Sequence, residues 1–215
     1  RFGQYALHAV LVIFFLFPLL FLFVSALKGD ELPLLKDMGS LKAFVPYGDI
    51  SLKNFSHVIN GSNFKSAFFN SLLTVSITVL LGVLINSMLA YALARFKFKG
   101  RDFLLSVIVA LIIIPFEAIA VPLLLLVNEL PWINGEIGWL DSYHVQIIPF
   151  IAHAFSIYLF YQFFIALPKD LEEAALMDGA NRLRIYWSIV MPLSKPVIAT
   201  VAVLQFLSRW GDLLW

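Results

Sequence analysis

Long apolar runs constrain this chain more than any other feature of its sequence. The first run, residues 5–27, reads YALHAVLVIFFLFPLLFLFVSAL and contains no Asp, Glu, Lys or Arg. A helix that crosses a bilayer needs about 20 mainly apolar residues. Over the whole chain 61% of the residues are hydrophobic and 13% are charged, whereas soluble domains are about half apolar and about a quarter charged. The sequence therefore predicts an all-α integral membrane protein.

Five segments are long and apolar enough to be predicted spans. They are residues 5–27, 68–94, 103–127, 145–167 and 196–215. The first is too long for a signal-peptide core and has no obvious cleavage site, so we expect it to remain as an anchor. No internal repeat or low-complexity linker interrupts the chain, which predicts a single transmembrane domain over residues 1–215. Since the fifth span stops without a polar tail, we expect the sequence to be C-terminally truncated.

Basic residues in the loops predict the orientation of the spans. The loop RFKFKGR, residues 95–101, contains four Lys or Arg, whereas residues 128–143 contain none. Short loops rich in Lys and Arg face the cytoplasm. This rule places the N-terminus and the loop 168–196 in the cytoplasm and the loops 28–65 and 128–143 outside. The five Lys of residues 28–65 oppose this assignment, but four acids accompany them, and long loops follow the rule less strictly.

Several kinds of chemical site are missing from the sequence. There is no Cys, no phosphate-binding G-x-x-x-x-G-K-[ST] loop and no H-E-x-x-H pair among the four scattered His. Any ATP that the protein uses should therefore bind to another chain. No nucleophile–base or metal constellation favours a membrane enzyme, and the net charge of +1 gives no indication of nucleic acid binding.

A charged segment, LPKDLEEAALMDGANRLRIYW at residues 167–187, interrupts the apolar sequence. Asp170, with Glu173 three residues later, resembles an N-terminal capping box. Gly179 stands where a glycine reverses the chain after a helix. The segment thus predicts a helix of about two turns, a corner, and a second short helix at residues 181–190 that stops before Pro192.

The first of these helices has apolar residues on both sides. A helix lying on a membrane would instead show one apolar face and one basic face. We expect Ala174 and Ala175 to pack on the chain's own domain, and Glu172, Leu176 and Met177 to face a partner. A helix held between two proteins is the simplest interpretation, and a solvated cytoplasmic loop is the alternative.

The spacing in this segment resembles a known family. Glu173-Ala174-Ala175, then Gly179, then Ile189 to Pro192 match the signature loop of permease subunits of bacterial ABC importers, with Met191 where Leu is usual. Asp178–Ala180, Pro196 and the stretches LARFKFKGR, NSL, IPFEAIAVPL and RWGDLLW are similar to the sugar-importer branch, in particular its second, maltose-type permease subunit. Within RWGDLLW, Gly211 replaces the Asn usual in the family, which leaves a ligand role at that position in doubt.

The resemblance implies a coupling helix that docks into a groove of a cytoplasmic ATPase subunit. It also implies six spans, a second permease subunit, two ATPase subunits that bind ATP and Mg²⁺, an extracytoplasmic solute-binding protein, and a bacterial inner membrane location. The residues assigned to this coupling segment are Asp170, Leu171, Glu172, Glu173, Ala174, Ala175, Leu176, Met177, Asp178, Gly179 and Ala180.

Polar residues within the predicted spans are candidates for a solute pathway. Glu117 lies between Pro115 and Pro122, and an ionisable group at membrane depth usually faces protein or a water-filled cavity. The full candidate set is Asn86, Glu117, His153, Arg209, Trp210 and Asp212. For each of them packing between helices or an interfacial position is the alternative.

Two other functions stay open from the residues alone. One is a secondary carrier driven by an ion gradient through Glu117, which would need no ATPase partner. The other is an ABC importer permease for a solute other than a sugar, because the signature loop is shared by such importers.

Overall fold

The computed structural model describes residues 2–29, 39–61, 63–132, 135 and 137–212. Within these residues the secondary structure is helical apart from two isolated β-bridges, Lys28–Ile50 and Pro131–Ile137, which confirms the all-α prediction. The chain forms two compact units, residues 1–69 and residues 70–215. The expectation of a single domain over the whole chain stays a prediction.

Residues 1–69 are organised around one apolar helix, α1 (Phe2–Leu27). It is followed by a 3₁₀ turn at Leu41–Phe44 and by α2 (Lys53–Gly61). The ring of Phe44 packs against Phe17, with ring centroids 4.3 Å apart. Most side chains of α1 are exposed and apolar, which suits a helix surrounded by lipid.

Residues 70–215 contain most of α3 and seven further helices. Their bounds are α3 Phe64–Arg95, α4 Arg101–Ile113, α5 Phe116–Glu129, α6 Tyr143–Ile151, α7 Ala154–Ala166, α8 Asp170–Met177, α9 Arg182–Leu193 and α10 Lys195–Trp210. By length and composition α1, α3 and α6 with α7 could each cross a membrane, and the bent pairs α4–α5 and α9–α10 bring the number to five. This agrees with the five predicted spans.

Three of these spans are interrupted. The axes of α4 and α5 differ by 105° at the break before Pro115, and those of α9 and α10 by 78°. A third interruption, at Ala152 and His153, separates α6 from α7. Broken helices at membrane depth occur where protein or a cavity supplies partners for the freed backbone groups.

Two local predictions about helix ends are wrong. Asp170 does not cap α8, because the backbone of Lys169 is already helical and its carbonyl accepts the first helical hydrogen bonds, from the N–H groups of Glu172 and Glu173. Pro192 does not end the following helix, which continues to Leu193. A π-helical turn at Tyr186–Val190 ends two residues before this proline, and its wider spacing accommodates a residue that has no N–H to donate.

The core of this unit lies where α7 packs against α3, α4, α9 and α10. Its fully buried side chains include Leu93, Phe160, Phe164, Ile185, Tyr186 and Val201. Small and polar residues of α3 form a stripe that is buried at Thr74, Thr78, Gly82, Asn86 and Ala90. Such stripes are typical of helix packing, and Thr74 and Thr78 also line a small cavity. The core therefore joins the charged segment at residues 167–187 to the membrane helices.

Candidate functional site

The short helix α8 ends in the corner that the sequence predicts. Gly179 has a φ of +80°, a left-handed conformation that glycine adopts without strain. The N–H of Ala180 donates to the carbonyl of Ala175 at 2.9 Å, and the N–H of Gly179 donates to that of Leu176 at 3.0 Å. This pair of bonds is the Schellman motif, and it confirms the predicted chain reversal.

One acidic residue of α8 faces the protein interior. Glu172 is 4% exposed, and its Oε1 accepts a hydrogen bond of 2.6 Å from Arg95 Nε at the end of α3. Its Oε2 accepts from the Tyr91 hydroxyl at 3.1 Å and lies 3.5 Å from Arg182 Nη1. The expectation that Glu172 faces a partner is wrong, because two basic groups and a phenol of the chain's own helices surround it.

The remaining residues of α8 leave an outward surface. Leu171 is 45% exposed, Leu176 36% and Met177 89%. Asp170, Glu173 and Asp178 are also exposed. Ala175 and Ala180 pack against the core, whereas Ala174 is exposed, contrary to expectation. The helix is thus fixed on one side and open on the other, with apolar and acidic groups side by side.

A second candidate site is a cavity of about 640 Å³ beside the breaks between α4 and α5 and between α6 and α7. Four predicted pathway residues line it. They are Glu117 at the start of α5, His153 between α6 and α7, and Arg209 and Asp212 at the end of α10. The breaks before α5 and α7 bring Glu117 and His153 to this space, whereas Arg209 and Asp212 reach it from the C-terminal end of α10.

The charges around the cavity are unevenly paired. Arg209 Nη2 donates to Asp212 Oδ2 at 2.6 Å, and the guanidinium carbon lies 3.6 Å from the centroid of the Phe150 ring. Glu117 is exposed to the cavity, and no hydrogen bond or ion pair joins its carboxylate to any other described residue. Glu117 is therefore the uncompensated charge of this site.

Two predicted pathway residues lie elsewhere. Asn86 is completely buried; its Nδ2 donates to the carbonyl of Ile151 at 3.0 Å, and its Oδ1 accepts from the His153 N–H at 3.1 Å. Its amide thus holds the break between α6 and α7 and does not line the cavity. Trp210 stacks on Phe206 with centroids 5.4 Å apart and borders a separate cavity of about 100 Å³.

Gln205 lines the larger cavity and was not among the predicted residues. Its side chain is buried, and its Oε1 has no hydrogen-bond partner among the described residues. The spacing of four residues between Gln205 and Arg209 places both on one face of α10. That spacing could have identified Gln205 from the sequence, because a residue one turn before a pathway residue lies on the same face of the helix.

Comparisons with known proteins agree with this arrangement. Residues 79–215 match the family described as "Binding-protein-dependent transport system inner membrane component". The chain is 32% identical over 207 residues to the arabinooligosaccharides transport system permease protein AraQ of Bacillus subtilis, covering 96% of this chain and 70% of that protein. It is 35% identical over 210 residues to the trehalose transport system permease protein SugB of Mycobacterium tuberculosis, covering 97% and 72%.

A solved structure is similar over nearly the whole chain. It is the crystal structure of a bacterial ABC transporter involved in the import of the acidic polysaccharide alginate. The TM-score is 0.82 at 26% sequence identity, and the match covers 98% of this chain and 70% of that chain. Neither the ion-driven carrier nor the non-sugar importer is favoured by these matches. The chain belongs to the family of inner membrane components of binding-protein-dependent transport systems.

Proposed function

We propose that this chain forms half of an alternating-access pathway for a sugar or sugar derivative in an ATP-driven importer. Its relatives AraQ and SugB are named for arabinooligosaccharide and trehalose transport. The cavity beside the α4–α5 and α6–α7 breaks is large enough for a small saccharide and is lined by polar and aromatic side chains. ATP and Mg²⁺ bind to separate ATPase subunits, and hydrolysis takes place there.

The assembly contains four further protein subunits in this proposal. A second permease subunit completes the pathway, two ATPase subunits bind on the cytoplasmic side, and a solute-binding protein delivers the sugar from outside. The N-terminus is cytoplasmic in a bacterial inner membrane, as the basic loop 95–101 indicates. The loops 28–65 and 128–143 then face the binding protein; parts of both lie outside the described residues.

The observation that carries the proposal is that one side of α8 packs on the chain's own helices while the other side is exposed. Its inner side is fixed by Glu172, while Leu176 and Met177 on its outer side are exposed. Exposed apolar side chains next to acids are typical of a surface that binds a protein partner. An ATPase groove that receives the coupling segment would cover this surface.

Movement of the ATPase reaches the membrane helices through the inner side of α8. Arg95 is the last residue of α3, and it holds both the Glu172 carboxylate and, through Nη2 at 3.0 Å, the carbonyl of Leu167. A displacement of α8 is therefore passed to α3 and α7 together. The Gly179 corner passes it to α9, which is packed in the core.

The coupling role is tested by measuring sugar uptake and solute-stimulated ATP hydrolysis with the complete transporter in proteoliposomes. Glu173→Ala removes an exposed acid from the outer side, and Gly179→Pro replaces a φ of +80° by one near −65°. We expect both variants to lose most solute-stimulated hydrolysis and uptake. Asp102→Ala, which removes an exposed acid from the first turn of α4, is the control. Normal coupling in both loop variants would refute the proposed role.

A further inference from the structure

The short helix α2 is tied to the C-terminal end of the spanning helix α1. The N–H of Ser51, two residues before α2, donates to the carbonyl of Leu27 at 3.0 Å. Asn54, in the first turn of α2, donates from Nδ2 to the carbonyls of Ala26 at 3.2 Å and Lys28 at 2.8 Å. These bonds supply partners for carbonyls that no donor within α1 can reach. The start of α2 is therefore held at the level where α1 ends.

The lipid-facing surface of α1 extends almost to this point. Leu20, Leu22 and Phe23 in its last turns are exposed. No Asp, Glu, Lys or Arg occurs between residues 2 and 27, and Lys28 follows directly. A charge at membrane depth is costly, so charged residues are rare within spanning segments. The boundary between hydrocarbon and lipid headgroups thus lies close to residue 28, beside the start of α2.

The other end of α2 leads directly into a second spanning helix. α2 ends at Gly61, and α3 begins at Phe64. Phe64, Phe68 and Phe69 in the first turns of α3 are exposed, which suits contact with lipid. A helix of nine residues is about 14 Å long. Because both of its ends are attached close to spanning helices, α2 cannot move far from the membrane surface.

The side chains of α2 divide into an apolar and a polar face. At about 100° per residue, Phe55, Val58 and Ile59 fall within an arc of about 100°. They are 39%, 46% and 41% exposed. The polar side chains point to the opposite side of the helix. They are Lys53, Ser56, His57 and Asn60.

This division of faces distinguishes α2 from α8. The exposed side of α8 mixes apolar and acidic groups, whereas α2 contains no Asp or Glu, so none of its own residues repels phospholipid headgroups. A helix with one apolar and one polar face lies in a membrane interface with the apolar face about 5–10 Å deep. The lipid around the end of α1 is continuous with the place where α2 is held.

We infer that α2 is an interfacial helix that binds the bilayer surface. Its apolar face, Phe55 and Ile59 with Val58 at the edge, lies among the lipid headgroups and the first acyl carbons, and Lys53 and Asn60 point toward water. The partner of the apolar face is lipid and not another protein subunit. This contact fixes the depth at which α1 leaves the membrane, whichever solute the transporter carries.

Nitroxide labels on single introduced cysteines test this contact, because the chain has no Cys of its own. The complete transporter, with the cysteines of its other subunits replaced, is reconstituted in liposomes of phosphatidylethanolamine and phosphatidylglycerol. Phe55→Cys and Ile59→Cys place the label on the apolar face. Ser56→Cys and Asn60→Cys are the matched controls on the polar face of the same helix. All four positions are exposed, so the labels displace no packed side chain.

The measurement compares two relaxing reagents, oxygen, which dissolves in hydrocarbon, and a polar nickel chelate, which stays in water. We expect the oxygen-to-nickel accessibility ratio to be at least about threefold higher at Phe55 and Ile59 than at Ser56 and Asn60. Ile13→Cys, at an exposed position near the middle of α1, gives the value for the hydrocarbon interior. The apolar-face values should lie between this reference and the polar-face values, because an interfacial helix is shallower than a spanning one.

The same labels distinguish lipid from a protein partner. Adding the solute-binding protein should leave the ratios at Phe55 and Ile59 unchanged if lipid covers this face. Equal ratios at all four α2 positions would overturn the inference, since water would then surround the helix. Poor access of both reagents to Phe55 and Ile59, or loss of oxygen access when the binding protein is added, would also overturn it, because a protein would then cover the apolar face.

Discussion

Two of the arginine–carboxylate pairs in residues 70–215, Arg95–Glu172 and Arg209–Asp212, differ in burial and in what they join. Arg95 and Glu172 lie 77 positions apart, and their side chains are 4% and 6% exposed. Arg209 and Asp212 lie three positions apart at the end of one helix, each 15% exposed beside a cavity. The first pair fixes one helix against another, whereas the second is local to the C-terminal end of α10. Similar ion pairs thus join distant segments at one place in the unit and neighbouring residues at another.

The largest expected effect is that of breaking the first pair. Glu172→Ala leaves the Arg95 guanidinium buried without its carboxylate, and Arg95 Nη1 already has no partner among the described residues. Breaking a buried pair on one side costs about 3–5 kcal/mol. We expect the free energy of unfolding, measured by reversible denaturation in mixed micelles, to fall by that amount.

The neighbouring acid provides the control for this experiment. Glu173 is exposed, so Glu173→Ala should change the free energy of unfolding by no more than about 0.5 kcal/mol. If both substitutions destabilise the protein equally, burial of Glu172 is not what distinguishes the two acids. The double variant Arg95→Met/Glu172→Leu should recover most of the lost stability, because no buried charge is left unpaired and the Arg182 side chain, also near Glu172, is 47% exposed.

Glu172 is buried and Glu173 is exposed, and this difference shows how far the sequence predicts the site. Composition and the lengths of the apolar runs predict the number of spans, and Gly179 predicts the corner after α8. Helical periodicity separates the faces of α8 but does not reveal which face another part of the chain covers. The partner of Glu172 is Arg95, and nothing local in either segment indicates that the two meet.

The cavity was predictable only in part for a related reason. Glu117, His153, Arg209 and Asp212 are polar residues within apolar segments, so hydropathy alone selects them. Hydropathy also selects Asn86, but it cannot distinguish an amide that binds a solute from one that binds backbone. The break at Ala152 and His153 supplies those backbone groups, and it has no proline at the interruption itself.

Replacing Asn86, which is uncharged, should lower the free energy of unfolding by an amount between those expected for the two ion pairs. Asn86→Ala removes one donor and one acceptor and leaves the Ile151 carbonyl and the His153 N–H unpaired. An unsatisfied buried polar group costs about 1–3 kcal/mol, so we expect a loss of about 2 kcal/mol in the unfolding assay. Thr200→Ala on α10 is the control, because its hydroxyl is exposed and bonds only within its own helix. A loss below that of the control would show that the break needs no side-chain support.

The smallest expected effect is that of the second ion pair. Asp212→Ala should lower the free energy of unfolding by about 1 kcal/mol or less, because a local pair next to a water-accessible cavity is screened and joins no distant segments. Asp212 makes further contacts, so the single variant alone does not isolate the pair. A double-mutant cycle with Arg209→Met measures the interaction energy directly.

This cycle also decides whether the comparison between the pairs holds. If the Arg209–Asp212 interaction energy approaches that of Arg95–Glu172, the cavity end is held together as firmly as the α8 end. Its guanidinium would then be a structural element. If the interaction energy stays near or below about 1 kcal/mol, the pair contributes little to stability. The difference between the pairs would then follow from their burial, since the side chains are 4% and 6% exposed in the first and 15% in the second.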